Sequence, residues 1–295
     1  MNADIATGEF EPHRSLLFGI AYRMLGVVAD AEDVLQDAWL RWQAVDRDAV
    51  RSVQAYLVTL TTRLCIDANR SARARREVYV GPWLPEPVPS GRLTATASPE
   101  QTVIAAESIS YATMILLERL GPVERAVFLL RDVFDYDYRE IAPIVGKTEA
   151  ACRQVLHRAR QHLRENEPRQ QTSYDACLAL TAGLLAATAN GNLDGLLALL
   201  HDDATLISDG GGKAAAALKP IHGADRVARL MLGIARKSPI ASLQMIELNG
   251  APAVVFSVAA DPTPSIMMFE ERDGKVTRAF VVRNPDKQNA LAGLS

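Results

Sequence analysis

The run EAACRQVLHRARQHLR, residues 149–164, carries two kinds of chemistry at helical spacing. Cys152, Val155, Leu156, Ala159 and Leu163 recur every three or four residues, which predicts a buried stripe. Arg153, Gln154, His157, Arg158, Arg160 and Arg164 fall on the other side. Arginine and glutamine early in such a helix match base edges in a major groove, and arginines further along match phosphates. Tyr138 to Val145 predicts a short preceding helix, Gly146 ends it, and Thr148 can cap the next. Two helices across a tight glycine turn form a helix-turn-helix. The plainer reading of the same pattern is a solvated amphipathic helix.

Other residues invite chemistry of their own. VQAYLVTLTTRLCIDANRSARARR begins apolar and ends in Arg70, Arg73, Arg75 and Arg76. Such a cluster offers a positive surface to a phosphate backbone. DAEDVLQDAWLRW carries Asp30, Glu32, Asp33 and Asp37, with Asp30 as an expected N-cap. Trp39 and Trp42 in that run share a face, one expected in the core. The stretch Trp83-Leu84-Pro85-Glu86-Pro87 sets an aromatic anchor among prolines, which hold a chain extended and lower the entropy lost on docking. His201, Asp202, Asp203, Asp209 and His222 could be imagined as acid–base groups. His201 to Asp203 follow a helix, however, where solvated turns are common.

The elements that must position these residues read as follows. A chain of 295 residues suggests two or three domains, and 48% hydrophobic with 23% charged residues is ordinary globular material. The net charge of −3 excludes a globally basic nucleic-acid binder, so any such site must be a local cluster. Cys65, Cys152 and Cys177 are scattered, which argues against a disulfide framework or a zinc site. No basic and apolar leader opens the sequence, and the apolar runs are too short to span a bilayer. The expectation is a cytoplasmic protein with no membrane partner, no metal and no cofactor.

Helical patterns fill residues 10–76 and 107–165, separated by a segment rich in Pro, Gly, Ser and Thr. After ENEPRQQTS the character changes. Helices come first, then a short strand, ATLISDGGGK, and a further helix. Four strand-like pieces close the chain, paired across Asn249-Gly250 and Asp273-Gly274, both hairpin signals. This order predicts an α+β domain with a curved antiparallel sheet on helices.

Taken together, AYRMLGVVADAEDVLQDAWLRW and AYLVTLTTRLCIDANRSARARR resemble domain two of an extracytoplasmic-function sigma factor. LLERLGPVERAVFLLRDVFDYDYREIAPIVGKTEAACRQVLHRARQHL resembles domain four. WLPEP, Asp209-Gly210-Gly211-Gly212-Lys213 and Asn284-Pro285-Asp286-Lys287 are similar to signatures of the subgroup with a SnoaL-like extension of the NTF2 type. The resemblance implies two all-α domains, a three- or four-helix domain two over 8–77 and a helix-turn-helix domain four over 105–167. Between them lies a linker over 78–104, and a SnoaL-like domain follows over 172–288.

The resemblance further implies binding to core RNA polymerase and to promoter DNA. Asp30, Glu32, Asp33 and Asp37 would dock on the polymerase clamp. Arg63, Arg70, Arg73, Arg75 and Arg76 would face single-stranded DNA, with Asn69 as a polar reader. Arg153, Gln154 and His157 would read the minus-thirty-five element, and Arg158 and Arg160 would serve phosphate or packing. The SnoaL-like domain would regulate in cis by gripping WLPEP, with Lys213 or Lys287 meeting Glu86, and no separate anti-sigma factor would be required. Within that grip, DGGGK would support the active arrangement and the NPDK end would restrain it. The alternatives are a SnoaL-type enzyme or sensor of an unidentified small ligand fused to DNA-binding domains, and a dimeric repressor.

Overall fold

The computed structural model describes residues 2–94, 110–164 and 174–288, and all their side chains except those of 2–5, 72–77, 93, 94 and 164. The chain divides into two compact units, residues 1–77 with 90–167, and residues 78–89 with 168–295. Part of the segment read as a linker, 78–89, therefore belongs with the C-terminal unit, and residues 95–109 lie outside the described ones.

In the first unit, α1 (Asn2–Phe10), α2 (Arg14–Leu25), α3 (Val28–Gln43) and α4 (Val53–Glu77) form one bundle. Its core includes Leu17, Ile20, Met24, Leu35, Ala38, Leu57 and Val58. Gly26 ends α2 in the left-handed region, at φ 75°. Helix α3 starts one turn earlier than expected. Val27 is its N-cap, and Asp30 sits in the first turn, where it complements the helix dipole. Trp42 is the core tryptophan, 0% exposed, with Tyr56 at 5.6 Å between ring centroids. Trp39 packs edge-on against Phe10 at 5.4 Å.

The same unit continues with α5 (Ser90–Thr94), α6 (Tyr111–Leu117) and α7 (Pro122–Phe128), which runs on as a π turn over Leu129–Val133. Then come α8 (Tyr138–Val145) and α9 (Glu149–Arg164). Gly146 closes α8 at φ 65°, and Thr148 Oγ1 accepts from Ala151 N at 3.2 Å as the N-cap of α9. The stripe Cys152, Val155, Leu156, Ala159 and Leu163 is buried.

The second unit packs α10 (Tyr174–Ala189), α11 (Leu193–Leu199) and α12 (Ala224–Lys237) on a six-stranded sheet. The strands are β1 (Leu200–Asp209), β2 (Ile221–His222), β3 (Ile240–Leu248), β4 (Ala251–Val258), β5 (Asp261–Arg272) and β6 (Lys275–Val282), in the order β2-β1-β6-β5-β4-β3. Both expected hairpins form. Asn249 and Gly250 have φ 49° and 75°, and Asp273 and Gly274 have 55° and 75°, the pair of positive angles a two-residue hairpin turn needs.

The sheet is mixed, which corrects the antiparallel expectation, because β1 pairs with β6 in parallel. The chain leaves β1, crosses over through α12, and returns by the β3–β6 meander pointing the same way. Leu184, Leu196, Leu206, Val227, Leu232, Ala279 and Val281 fill the space between helices and sheet. His201, Asp202 and Asp203 belong to β1 rather than to a turn, with Asp202 and Asp203 exposed.

Trp42 is wholly enclosed and Trp39 is not, so their loss is expected to differ. Trp42→Ala should lower stability by about 3–5 kcal/mol, with a smaller loss for Trp39→Ala. Denaturant unfolding followed by circular dichroism measures the difference.

Candidate nucleic-acid interface and linker-binding site

On α9 the candidate readers Arg153, Gln154, His157 and Arg158 are all exposed. Arg153 pairs with Glu149 at 2.9 Å and lies over the Tyr138 ring at 5.1 Å, so its guanidinium rests at the start of the helix. Arg160 differs from these. Both its Nε and Nη2 donate to the Asp132 carboxylate, at 2.8 and 2.7 Å, and this bonding raises its pKa further. That fork ties α9 to the end of the π turn, a packing role rather than a free cation.

On α4, Arg70 is exposed and lies 3.1 Å from Asp67. Arg73, Arg75 and Arg76 lie on α4, but their side chains fall outside the described residues. Asn69, expected as a polar reader, is only 6% exposed, and its amide donates to Met24 O at 2.8 Å. It closes the C-terminal end of α2, where helix carbonyls lack partners of their own. On α3, Asp33 and Asp37 are exposed, while Glu32 is shared by Arg14 at 2.6 Å and Arg92 at 2.8 Å. Beside them is a cleft of about 350 Å³, lined in part by Phe10, Leu35, Trp39, Glu32 and Asp33.

In the second unit three distant stretches of sequence meet. The parallel pairing of β1 with β6 sets Asp209 opposite Val282, so the loops that follow both strands leave from the same end of the sheet. One loop is Gly210–Lys213, the other Arg283–Lys287. Asp209 O accepts from Arg283 N at 2.7 Å and Asn284 N at 3.0 Å. Lys213 meets Asp286 at 2.5 Å, an exposed pair worth little by itself. Gly211 has φ 59°, and a Cβ there would overlap the Asn284 amide. Asn284 uses both ends of that amide: Oδ1 accepts from Asp286 N at 3.1 Å, and Nδ2 donates to Tyr79 OH at 2.7 Å.

The third stretch is residues 78–89, in which Leu84 to Val88 are buried. Prolines at 82, 85, 87 and 89 remove four backbone donors that burial would otherwise leave to be satisfied. Leu84 N donates to Asp209 Oδ2 at 2.9 Å, and Val88 N to Asn249 Oδ1 at 3.0 Å. Asn249 N returns a bond to Val88 O at 3.0 Å, and Pro89 bridges Leu248 at the edge of β3.

At the centre is a buried ion pair. Asp209 is 0% and Lys287 4% exposed, and Lys287 Nζ donates to Asp209 Oδ2 and to Leu84 O, both at 2.6 Å. The ammonium lies 4.1 Å from the Trp83 ring centroid and 4.9 Å from that of Tyr79, both within cation–π range. Tyr79 OH donates to Asp209 Oδ1 at 2.6 Å. Burial pushes the Tyr79 phenol up, and Asp209 reinforces this, so it remains a donor. The lysines thus meet Asp209 and Asp286, in the places where the sequence suggested Glu86. Tyr79 was missed because it stands outside every motif; only its aromatic type near WLPEP hinted at it.

Comparison with known proteins agrees with this architecture. Residues 10–75 match the model for Sigma-70 region 2, and residues 114–163 that for Sigma-70 region 4. Two sigma regions in this order define a transcription initiation factor. The chain is 40% identical over 291 residues to the ECF RNA polymerase sigma factor SigJ of Mycobacterium tuberculosis, covering 95% of this chain and 92% of that protein. It is 29% identical over 290 residues to the probable ECF sigma factor SigI of the same organism, covering 98% and 96%. The crystal structure of Mycobacterium tuberculosis SigJ superposes with a TM-score of 0.75 at 34% identity, covering 96% of this chain and 98% of that one. The chain belongs to the extracytoplasmic-function sigma factors.

Removing one partner of the buried pair leaves the other charge stranded. Lys287→Met should weaken the hold on residues 78–89 by about 3–5 kcal/mol, and adding Asp209→Asn should recover part of that loss. The rate of chymotryptic cleavage at Tyr79 or Trp83 reads the release.

Proposed function

We propose that this sigma factor binds core RNA polymerase, recognises minus-thirty-five and minus-ten promoter elements, and is controlled in cis by its C-terminal domain through residues 78–89. The observation that carries the control is the Lys287 node, where the ends of β1 and β6 grip the segment that separates the two sigma regions in sequence. Such a grip sets the geometry in which the two regions are presented. Its polar part supports a switch: the exposed Lys213–Asp286 pair ties the glycine loop to the C-terminal turn and responds to surroundings more readily than the buried core.

In this reading Asp33 and Asp37 on α3 face polymerase, and Arg153, Gln154 and His157 read bases. Arg70 and the arginines that follow it meet phosphates. The space between α10, α11, α12 and the sheet is filled with aliphatic side chains, which favours a regulatory over a catalytic use of that domain. The protein then works where polymerase does, in the cytoplasm, without a separate anti-sigma factor.

The division of labour on α9 has a direct test. Arg153→Ala should cost about 1–3 kcal/mol in promoter affinity and relax preference at one base position. Arg160→Ala should instead lower the thermal stability of the helix-turn-helix and weaken all sequences alike. Binding titrations on a promoter and its single-base variants separate the two.

The regulatory reading is tested in a promoter reporter at equal expression. Lys213→Ala should lower activity and a chain ending at Arg283 should raise it, with Trp83→Ala also departing from the unaltered protein. Identical activity from all three would remove the C-terminal domain from control.

A further inference from the structure

One aromatic ring in the second sigma region serves two guanidiniums. Tyr138 opens α8, the first helix of the helix-turn-helix, and is half-buried. The Arg153 guanidinium, on α9, lies 5.1 Å from its ring centroid. That of Arg131, in the π turn, lies 5.4 Å from the same centroid. Both distances fall within cation–π range. Each cation also has carboxylates of its own, which offset the repulsion between the two. Arg153 meets Glu149 at 2.9 Å, and Arg131 meets Asp137 at 3.2 Å and Asp135 at 3.5 Å. Charge therefore alternates across the motif, from Asp135 and Asp137 through Arg131, the ring and Arg153 to Glu149.

We propose that Tyr138 is a positioning residue for promoter reading: its ring holds the Arg153 guanidinium in place before DNA arrives. That role rests on the assignment of Arg153 to base reading above. The ring is itself fixed. Arg131 Nη1 donates to Tyr136 O at 2.9 Å and to Asp137 Oδ1 at 3.2 Å, and so clips the turn that delivers Tyr138. Asp135 bends that turn at φ 53°, and Glu140 Oε2 accepts from Asp137 N at 2.8 Å where the helix begins. Two helices then aim one guanidinium. Tyr138 holds it from α8, and Glu149 holds it from one turn nearer the start of α9, the end from which a recognition helix contacts base edges.

The gain is entropic. An exposed arginine samples many rotamers and loses them when it binds, which weakens the complex. A guanidinium already held by a ring and a carboxylate has less to lose. A cation–π contact uses the face of the ring and consumes no N–H donor, so donors remain for a bidentate base contact. A hydrogen bond to a second carboxylate would have tied those donors up. The effect is also local. Among the described residues the cation–π partners of Tyr138 are Arg153 and Arg131, so the reading by Gln154 and His157 does not depend on this ring.

The test uses the full chain with core RNA polymerase. The probe is the duplex that the unaltered holoenzyme selects from a randomised minus-thirty-five library, together with its single-base variants. Arg153→Ala identifies the position that Arg153 reads. Tyr138→Leu should relax preference at that same position roughly two- to fivefold, the size of one exposed cation–π contact, and leave the others unchanged. In the Arg153→Ala background it should add nothing further, because the two residues act as one unit. Tyr138→Phe keeps the ring and should keep the preference. A second measurement works on the unaltered free chain: nuclear relaxation of isotope-labelled arginine should find the Arg153 Nε–H more ordered than that of Arg158, and Tyr138→Phe should preserve the order. Preference that stays sharp in Tyr138→Leu at the position Arg153→Ala relaxes overturns the positioning role. So does an Arg153 as mobile as Arg158, or a uniform loss of affinity in Tyr138→Phe, which marks a hydroxyl bonded directly to DNA. Unchanged preference at every position in Arg153→Ala removes Arg153 as a reader, and the ring's part in promoter reading falls with it. That failure appears without any change at Tyr138 and is thereby distinct from the others.

Discussion

A lysine ammonium enclosed with 4% exposure sets the terms for the C-terminal unit. Taking such a charge out of water costs several kcal/mol unless it is fully paired. Lys287 meets that demand with the Asp209 carboxylate, the Leu84 carbonyl and the face of Trp83. Asp209 in turn takes donors from Tyr79, Leu84 and Lys287. Two of those donors come from residues 78–89, so the pair is satisfied only when that segment is in place. The ionic node makes the sheet end and the segment interdependent, which apolar packing alone would not do.

The architecture around the node follows from this need. Asp209 and Lys287 are far apart in sequence and meet because β1 and β6 run side by side in the same direction. The three glycines after Asp209 let the loop pass close to the Asn284 amide, where any side chain on Gly211 would intrude. The prolines of the held segment spare it backbone donors that could find no partner under cover. Sheet topology, loop composition and linker composition therefore answer to a single charge pair.

The helical unit uses arginine in a related way. Arg160 forks onto Asp132, Arg63 onto two helix-end carbonyls, and Arg125 onto a third. A planar guanidinium with several donors suits such places better than a lysine would. Lys147 stands alone as a lysine in the first 170 residues. The arginines of this unit thus divide into those forked onto a carboxylate or helix-end carbonyls and those, such as Arg70 and Arg153, that make a single local ion pair, and their partners distinguish them.

Much of this was legible in the chain. Periodicity located the buried stripe of α9, Gly146 and Thr148 marked its turn, and Asn249-Gly250 and Asp273-Gly274 located both hairpins, because these signals are local and backbone angles enforce them. The motifs WLPEP, DGGGK and NPDK were visible for the same reason: they are short and chemically unusual. Which residue pairs with which was not. Glu86 and Asp209 are both carboxylates near lysines in the pattern, and the parallel β1–β6 pairing assigns Lys287 to Asp209. Asn69 reads as a polar surface residue until α4 is packed on α2 and its amide closes a helix end. Tyr79 has no motif at all. Local sequence determines where helices, turns and caps fall, since those depend on neighbours along the chain. Partners for buried charge and for orphan carbonyls come from residues tens to hundreds of positions away, and the tertiary structure alone brings them within hydrogen-bond reach.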